Sequence, residues 1–155
     1  MHESLASRGR PVHMPSMTRH NHPVIIHLTV CTQDRRPVLA NNTMHECLIK
    51  AYGNARSYRV GQYVIMPDHI HLFCSPAVPD AENVSRWVAY WKRLVSIQMP
   101  ELCPLWQRDC WDTQMREPQQ YHDKWNYIRE NPVRRELAKS ANEWPFQGEL
   151  NKLFW

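Results

Sequence analysis

At 155 residues with 43% apolar side chains, the chain suffices for one domain, and a domain of this size buries roughly two-thirds of its unfolded surface. Five cysteines, odd in number and never in a C-x-x-C pair, argue against a disulfide framework or a zinc ribbon; no apolar run approaches the ~20 residues of a membrane span. The net charge of +4 divides into +5 over residues 1–60 and −1 over the rest, with fourteen arginines to five lysines, a bias toward a polyanionic partner.

Residues 1–22 are rich in Pro, His, Ser and Arg without periodicity or an apolar h-region, which predicts a flexible arm rather than a secretory signal. Residues 23–155 then read as a single domain. The β-branched run at 24–30 predicts a central strand, in which His27 alternates with apolar residues and reads as structural. Asn41, Asn42 and Thr43 offer caps for a helix reaching about residue 57. Two strands follow, at 58–66 and 69–74, joined by a tight turn at Pro67-Asp68.

Asp80 is placed to cap a helix whose apolar stripe is Val84, Trp87, Val88, Trp91, Leu94 and Val95, with Arg86, Lys92 and Arg93 toward solvent. Residues 105–116 read as a last, bent strand. Pro118 suits the first turn of a helix that Pro132 stops or kinks, followed by a short helical stretch and Trp144-Pro145-Phe146. The order βαββαβ predicts an α+β, ferredoxin-like sandwich. Its antiparallel sheet carries helices on one face, plus an added C-terminal helix with Tyr127.

Two local features carry chemistry. In Pro67-Asp68-His69-Ile70-His71 the strand period of two projects both imidazoles from one face, where they can chelate a divalent metal. The same pattern equally suits a polar strand face. Tyr127 and Asn131 stand at i and i+4, sharing a helix face. They are either a nucleophile beside a metal ligand or an ordinary half-buried tyrosine and a helix-terminal asparagine.

Residues 63–73 resemble the His-hydrophobic-His signature of the single-tyrosine transposases of small insertion sequences. Leu105-Trp106-Gln107-Arg108, Trp111-Asp112 and Tyr127-Ile128-Arg129-Glu130-Asn131-Pro132-Val133-Arg134 resemble the REP-associated branch, as do Asp34-Arg35-Arg36-Pro37-Val38-Leu39 and Trp144-Pro145-Phe146. The likeness spans residues 24–147. It departs at Arg135-Glu136-Leu137, where the family usually has a small residue and glycine before leucine.

The resemblance implies metal-dependent cleavage and strand transfer of single-stranded DNA through a 5′-phosphotyrosine, at palindromic hairpin-forming repeats. A domesticated, non-cleaving binder of such palindromes is the alternative. Carried over residue by residue, the nucleophile falls on Tyr127 and the metal ligands on His69, His71 and Asn131, with Mg²⁺ or Mn²⁺ as the expected ion.

The expected partner is single-stranded or hairpin DNA, met by a monomer or homodimer in the nucleoid-associated cytoplasm of a bacterium. DNA contacts are expected from Arg35, Arg36, Arg56, Arg59, Arg134 and Arg135. Exposed members of the set Trp106, Trp111, Trp125 and Trp144 can stack on splayed bases, worth ~1–3 kcal/mol per base, although core positions suit most of them better.

Overall fold

The computed structural model describes Thr18–Arg19 and residues 22–155. The arm expected over residues 1–22 lies outside these, save for Thr18–Arg19, which pairs with His22–Pro23 as a two-residue antiparallel ladder. The main elements are β1 (Ile26–Cys31), α1 (Asn42–Asn54), β2 (Tyr58–Ile65), β3 (His69–Pro76), α2 (Val84–Gln98), β4 (Trp111–Gln114), α3 (Pro118–Arg129), α4 (Asn131–Arg134) and β5 (Gln147–Glu149). The sheet runs β4-β1-β3-β2-β5, and every neighbouring pair is antiparallel. The first six elements give the α+β arrangement that periodicity predicts.

Hydrophobic patterning sets the two faces. Met44, Leu48, Ala51 and Tyr52 of α1 and Val84, Trp87, Val88, Trp91 and Val95 of α2 are buried against Ile26, Leu28, Val30, Ile70 and Leu72 of the central strands. Asn41 caps α1 by accepting from the Met44 amide at 2.8 Å. The cap of α2 is Asn83, not Asp80: its side chain accepts from the Ser85 amide at 2.8 Å.

Lys92 departs from its expected solvent position. It is 7% exposed, and its Nζ donates to the Gln107 and Asp109 carbonyls at 2.9 and 3.4 Å. The residue stands at the edge of the apolar stripe, and the chain before β4 folds over it. That stretch is irregular where a strand is expected; only Trp111–Gln114 form the ladder. Upstream, a bridge between Thr32 and Trp106 and the bond from the Gln107 amide to the Cys31 carbonyl hold the chain to β1.

The opposite face is covered by the C-terminal third. Ile25, Val64, Met66, Phe73 and Met115 are buried beneath Ile128 of α3 and Trp144, with Tyr121 and Trp125 of α3 packed against them. Tyr121, Trp125 and Ile128 recur at helical spacing, and Phe73 meets the first two edge-on at 4.8 and 6.3 Å. Trp144 anchors the tail through its indole N–H, which donates to the Ile65 carbonyl at 3.0 Å.

Beyond it, Gln147–Glu149 adds an edge strand that no sequence period announces. Gly61 on β2 permits close approach of the last residues, since a Cβ there would lie 2.7 Å from Leu153 Cδ1. Among the described residues no helix is long and apolar enough to cross a membrane.

Candidate active site

The start of β3 and the junction of α3 with α4 meet on this second face. His69 and His71 share one side of β3, as the strand period requires, and their rings lie 4.8 Å apart and nearly perpendicular. Asn131, first residue of α4, brings its side-chain amide nitrogen to 3.3 Å from Nε2 of His69. Three of the residues expected in one centre are therefore together.

Asp68 is the hub beside them. Its Oδ1 accepts from Nδ1 of His69 at 2.7 Å and from Arg135 at 3.0 Å, while Oδ2 accepts from Nε and Nη2 of Arg35 at 3.1 and 3.0 Å. Burial alone pushes the Asp68 carboxyl upward. The bond donated by His69, the Arg35 charge and the Arg135 bond outweigh it, holding the group well below the usual carboxylate range. Asp34 and Arg35 adopt left-handed backbone angles, φ 55° and 54°, so the turn that delivers Arg35 carries strain.

The imidazoles are kept neutral. Burial lowers His69 despite the opposing carboxylate, and burial with the nearby charges of Lys124 and Arg134 lowers His71 strongly. Each ring has its Nδ1 engaged within the protein: His69 with Asp68, His71 with Nε2 of His27 at 3.1 Å and Oγ1 of Thr29 at 3.2 Å. The other nitrogen of each ring is Nε2, on His69 the atom that meets Asn131, and this is the pattern of metal-ligating histidines held by an outer partner.

Amide oxygen and nitrogen are interchangeable by rotation, so Asn131 can present its oxygen to an ion beside His69. Among the described residues no three His, Cys, Asp or Glu side chains converge to hold a metal by themselves. The amide of Asn131 is the neutral donor nearest His69, and two imidazoles with one amide oxygen would suit a divalent cation with open positions.

Tyr127 lies on α3, one turn before Asn131, with 52% of its surface exposed. The guanidinium of Arg134 covers its ring, the central carbon 3.8 Å from the ring centre. The remaining arginines divide. Arg35 and Arg135 stand at the histidines through Asp68. Arg36 is drawn elsewhere, donating to the Leu102 and Pro104 carbonyls.

Arg56 and Arg59 are exposed near the other end of β3: Arg59 pairs with Ser75, six positions from His69 or about 20 Å along the strand. The tryptophans are chiefly packing groups. Trp144 is buried, Trp106 donates to the Lys92 carbonyl at 3.2 Å, and Trp125 packs on Phe73.

Two groups at the centre escape sequence reasoning. His27, read from the sequence as structural, also lies within hydrogen-bond distance of His71. Asp68 reads only as a turn residue, because neighbours on a strand face opposite ways; the turn at Pro67 and Asp68 breaks that rule. The adjacent pair Asp68-His69 was the available signal.

Comparison with known proteins bears on the family and the fold. A family model described as "Transposase IS200 like" matches residues 20–119, which include both histidines and end before Tyr127. A REP-associated tyrosine transposase of Escherichia coli (strain K12) is 29% identical over 94 residues, 59% of this chain and 54% of the relative. A putative REP-associated tyrosine transposase of Haemophilus influenzae is 28% identical over 95 residues, 53% of each chain. The chain thus spans about half the length of the curated relatives it matches. A REP-associated tyrosine transposase solved bound to a REP hairpin shares the fold: TM-score 0.73 and 23% identity, over 91% of this chain and 81% of that one.

Proposed function

This chain belongs to the IS200-like transposase family, and on that premise we propose that it cuts and rejoins single-stranded DNA at hairpin-forming palindromic repeats, in the cytoplasm of a bacterium. One observation carries the reading: Asn131, one helical turn after Tyr127, reaches the neutral, Asp68-backed imidazole of His69. A polar strand face has no need of that convergence.

Tyr127 is the nucleophile. Its phenolic oxygen forms a bond to phosphorus as the phenol loses its proton, and the bond from phosphorus to the 3′-oxygen breaks. The strand is left as a 5′-phosphotyrosine and a free 3′-hydroxyl. Because the phosphoester bond is exchanged rather than hydrolysed, a second 3′-hydroxyl can reverse the step and join a new strand.

Arg35 and Arg135, partly exposed and fixed by Asp68, orient the phosphate by charge-assisted hydrogen bonds. His69, His71 and Asn131 would hold Mg²⁺ or Mn²⁺, which when bound supplies Lewis-acid polarisation of the scissile phosphate. The relatives named for REP-associated transposition, and the related protein solved on a REP hairpin, support hairpin DNA as the substrate class.

The test is Tyr127→Phe. Incubated with a labelled single-stranded hairpin and Mn²⁺, the wild type forms a covalent protein–DNA adduct; the variant forms none while binding the hairpin about as well. An adduct with the phenylalanine variant removes Tyr127 from the role. Salt-dependent hairpin binding by the wild type without any nicking identifies a non-cleaving binder instead.

A further inference from the structure

We infer that His27, with Thr29, is a positioning residue for His71: the two accept the proton on Nδ1 of His71 and leave its Nε2 lone pair for a divalent cation. This rests on the reading of the site as a metal-assisted one.

The argument starts from strand register. On β1, Thr29 stands directly opposite His71 and His27 opposite Phe73. The period of two turns both side chains to the face that carries His69 and His71. There Nδ1 of His71 lies 3.1 Å from Nε2 of His27 and 3.2 Å from Oγ1 of Thr29. The His27 ring lies edge to edge with His71 and nearly in its plane, centroids 5.2 Å apart and planes 23° apart, as a bond between ring nitrogens requires, and it packs against Phe73 at 5.4 Å.

A neutral imidazole has one N–H and one lone pair, and only the lone pair binds a metal. For His69 the tautomer is set by a carboxylate, since Asp68 can only accept from Nδ1. On His71 a second imidazole and a hydroxyl, both from β1, stand where His69 has its carboxylate. For Nε2 of His71 to be free, Nε2 of His27 must be the acceptor and its own proton must sit on Nδ1. The two ligand histidines are thus backed unequally, one by an anion and one by neutral groups. The His71 side is the one that neutral substitutions can unset.

Nitrogen-15 NMR of the metal-free full-length protein reads the tautomers directly. The expected result is His71 and His27 both protonated at Nδ1; a wild-type spectrum with His71 protonated at Nε2 overturns the inference. Mn²⁺ titration then compares variants without DNA. His27→Phe with Thr29→Val keeps an aromatic and a β-branched side chain but removes both acceptors, and its Mn²⁺ affinity is expected to fall about 10-fold or more.

His27→Gln, whose amide oxygen can accept, should bind Mn²⁺ more tightly than His27→Phe. Equal affinity for wild type and a folded double variant overturns the inference. If the wild type still forms the Tyr127 adduct in that case, the functional reading stands. A wild type that binds no Mn²⁺ overturns both.

Discussion

The guanidinium carbon of Arg134 sits 3.8 Å from the centre of the Tyr127 ring, so α4 lays a cation on the face of the proposed nucleophile. An exposed cation–π contact of this kind is worth about 0.5–1 kcal/mol. Arg134→Ala should therefore cut adduct formation several-fold without abolishing it, whereas Tyr127→Phe abolishes it. Single-turnover cleavage of a saturating hairpin measures this; an unchanged rate separates Arg134 from positioning of the ring.

Asn131 tests the third ligand. Its amide lies 3.3 Å from Nε2 of His69, and Asn131→Ala removes that group while leaving the bond that His69 donates to Asp68 intact. Mn²⁺ affinity and cleavage should both fall by at least tenfold, a loss typical of disturbed metal sites, and excess EDTA should stop the wild type. Full Mn²⁺ affinity in Asn131→Ala restricts the ligands to the histidines.

Metal-free protein should lose stability in mild acid. His27 is drawn by burial, aided by Lys124, down to about 3, and His69 and His71 are also lowered by burial. Unfolded, these groups titrate near ~6.5. Between those values the unfolded chain binds more protons, so stability falls as pH drops below about 6.5, by ~1.4 kcal/mol per pH unit for His27, with His69 and His71 acting in the same direction.

Asp68, held low, adds a second loss only below about pH 4, as its carboxylate is protonated on the way to its folded value. Thermal melts from pH 8 to 3 check both limbs, and His27→Phe should shallow the first. A flat melting temperature from pH 7.5 to 5.5 contradicts the neutral imidazoles.

The arginines make a contrast. Arg59 is exposed and about 20 Å along the strand from His69, so Arg59→Ala should leave the rate at saturating DNA unchanged. If it touches phosphate, its loss weakens hairpin binding and lowers the salt slope by about 1. Arg35→Ala strips a partner from Asp68 and should slow cleavage even at saturation. Equal rate losses for both variants would contradict this division.

Periodicity reaches far into this chain because its sheet has one conventional face. The α2 stripe through Trp87 and Trp91, the hairpin through Pro67 and the Asn41 cap all follow from local chemistry. Local chemistry is silent where distant segments decide. Lys92 is buried because carbonyls at 107 and 109 fold over it, and Gln147–Glu149 pairs as a strand despite a polar, glycine-containing sequence. At the site, spacing places the two imidazoles on one face and Tyr127 one turn from Asn131. It cannot show that Asp68 also gathers Arg35 and Arg135, which stand 33 and 67 positions away.

That separation along the chain also orders events in time. A polypeptide that has emerged through β3 carries His27, Asp68, His69 and His71, yet lacks Tyr127, Asn131 and Arg135. At synthesis rates of about 5–20 residues per second, on the order of several seconds pass before position 127 follows position 71. Under the proposed mechanism the growing chain therefore lacks the means to cut nearby DNA until its final third docks beneath the sheet.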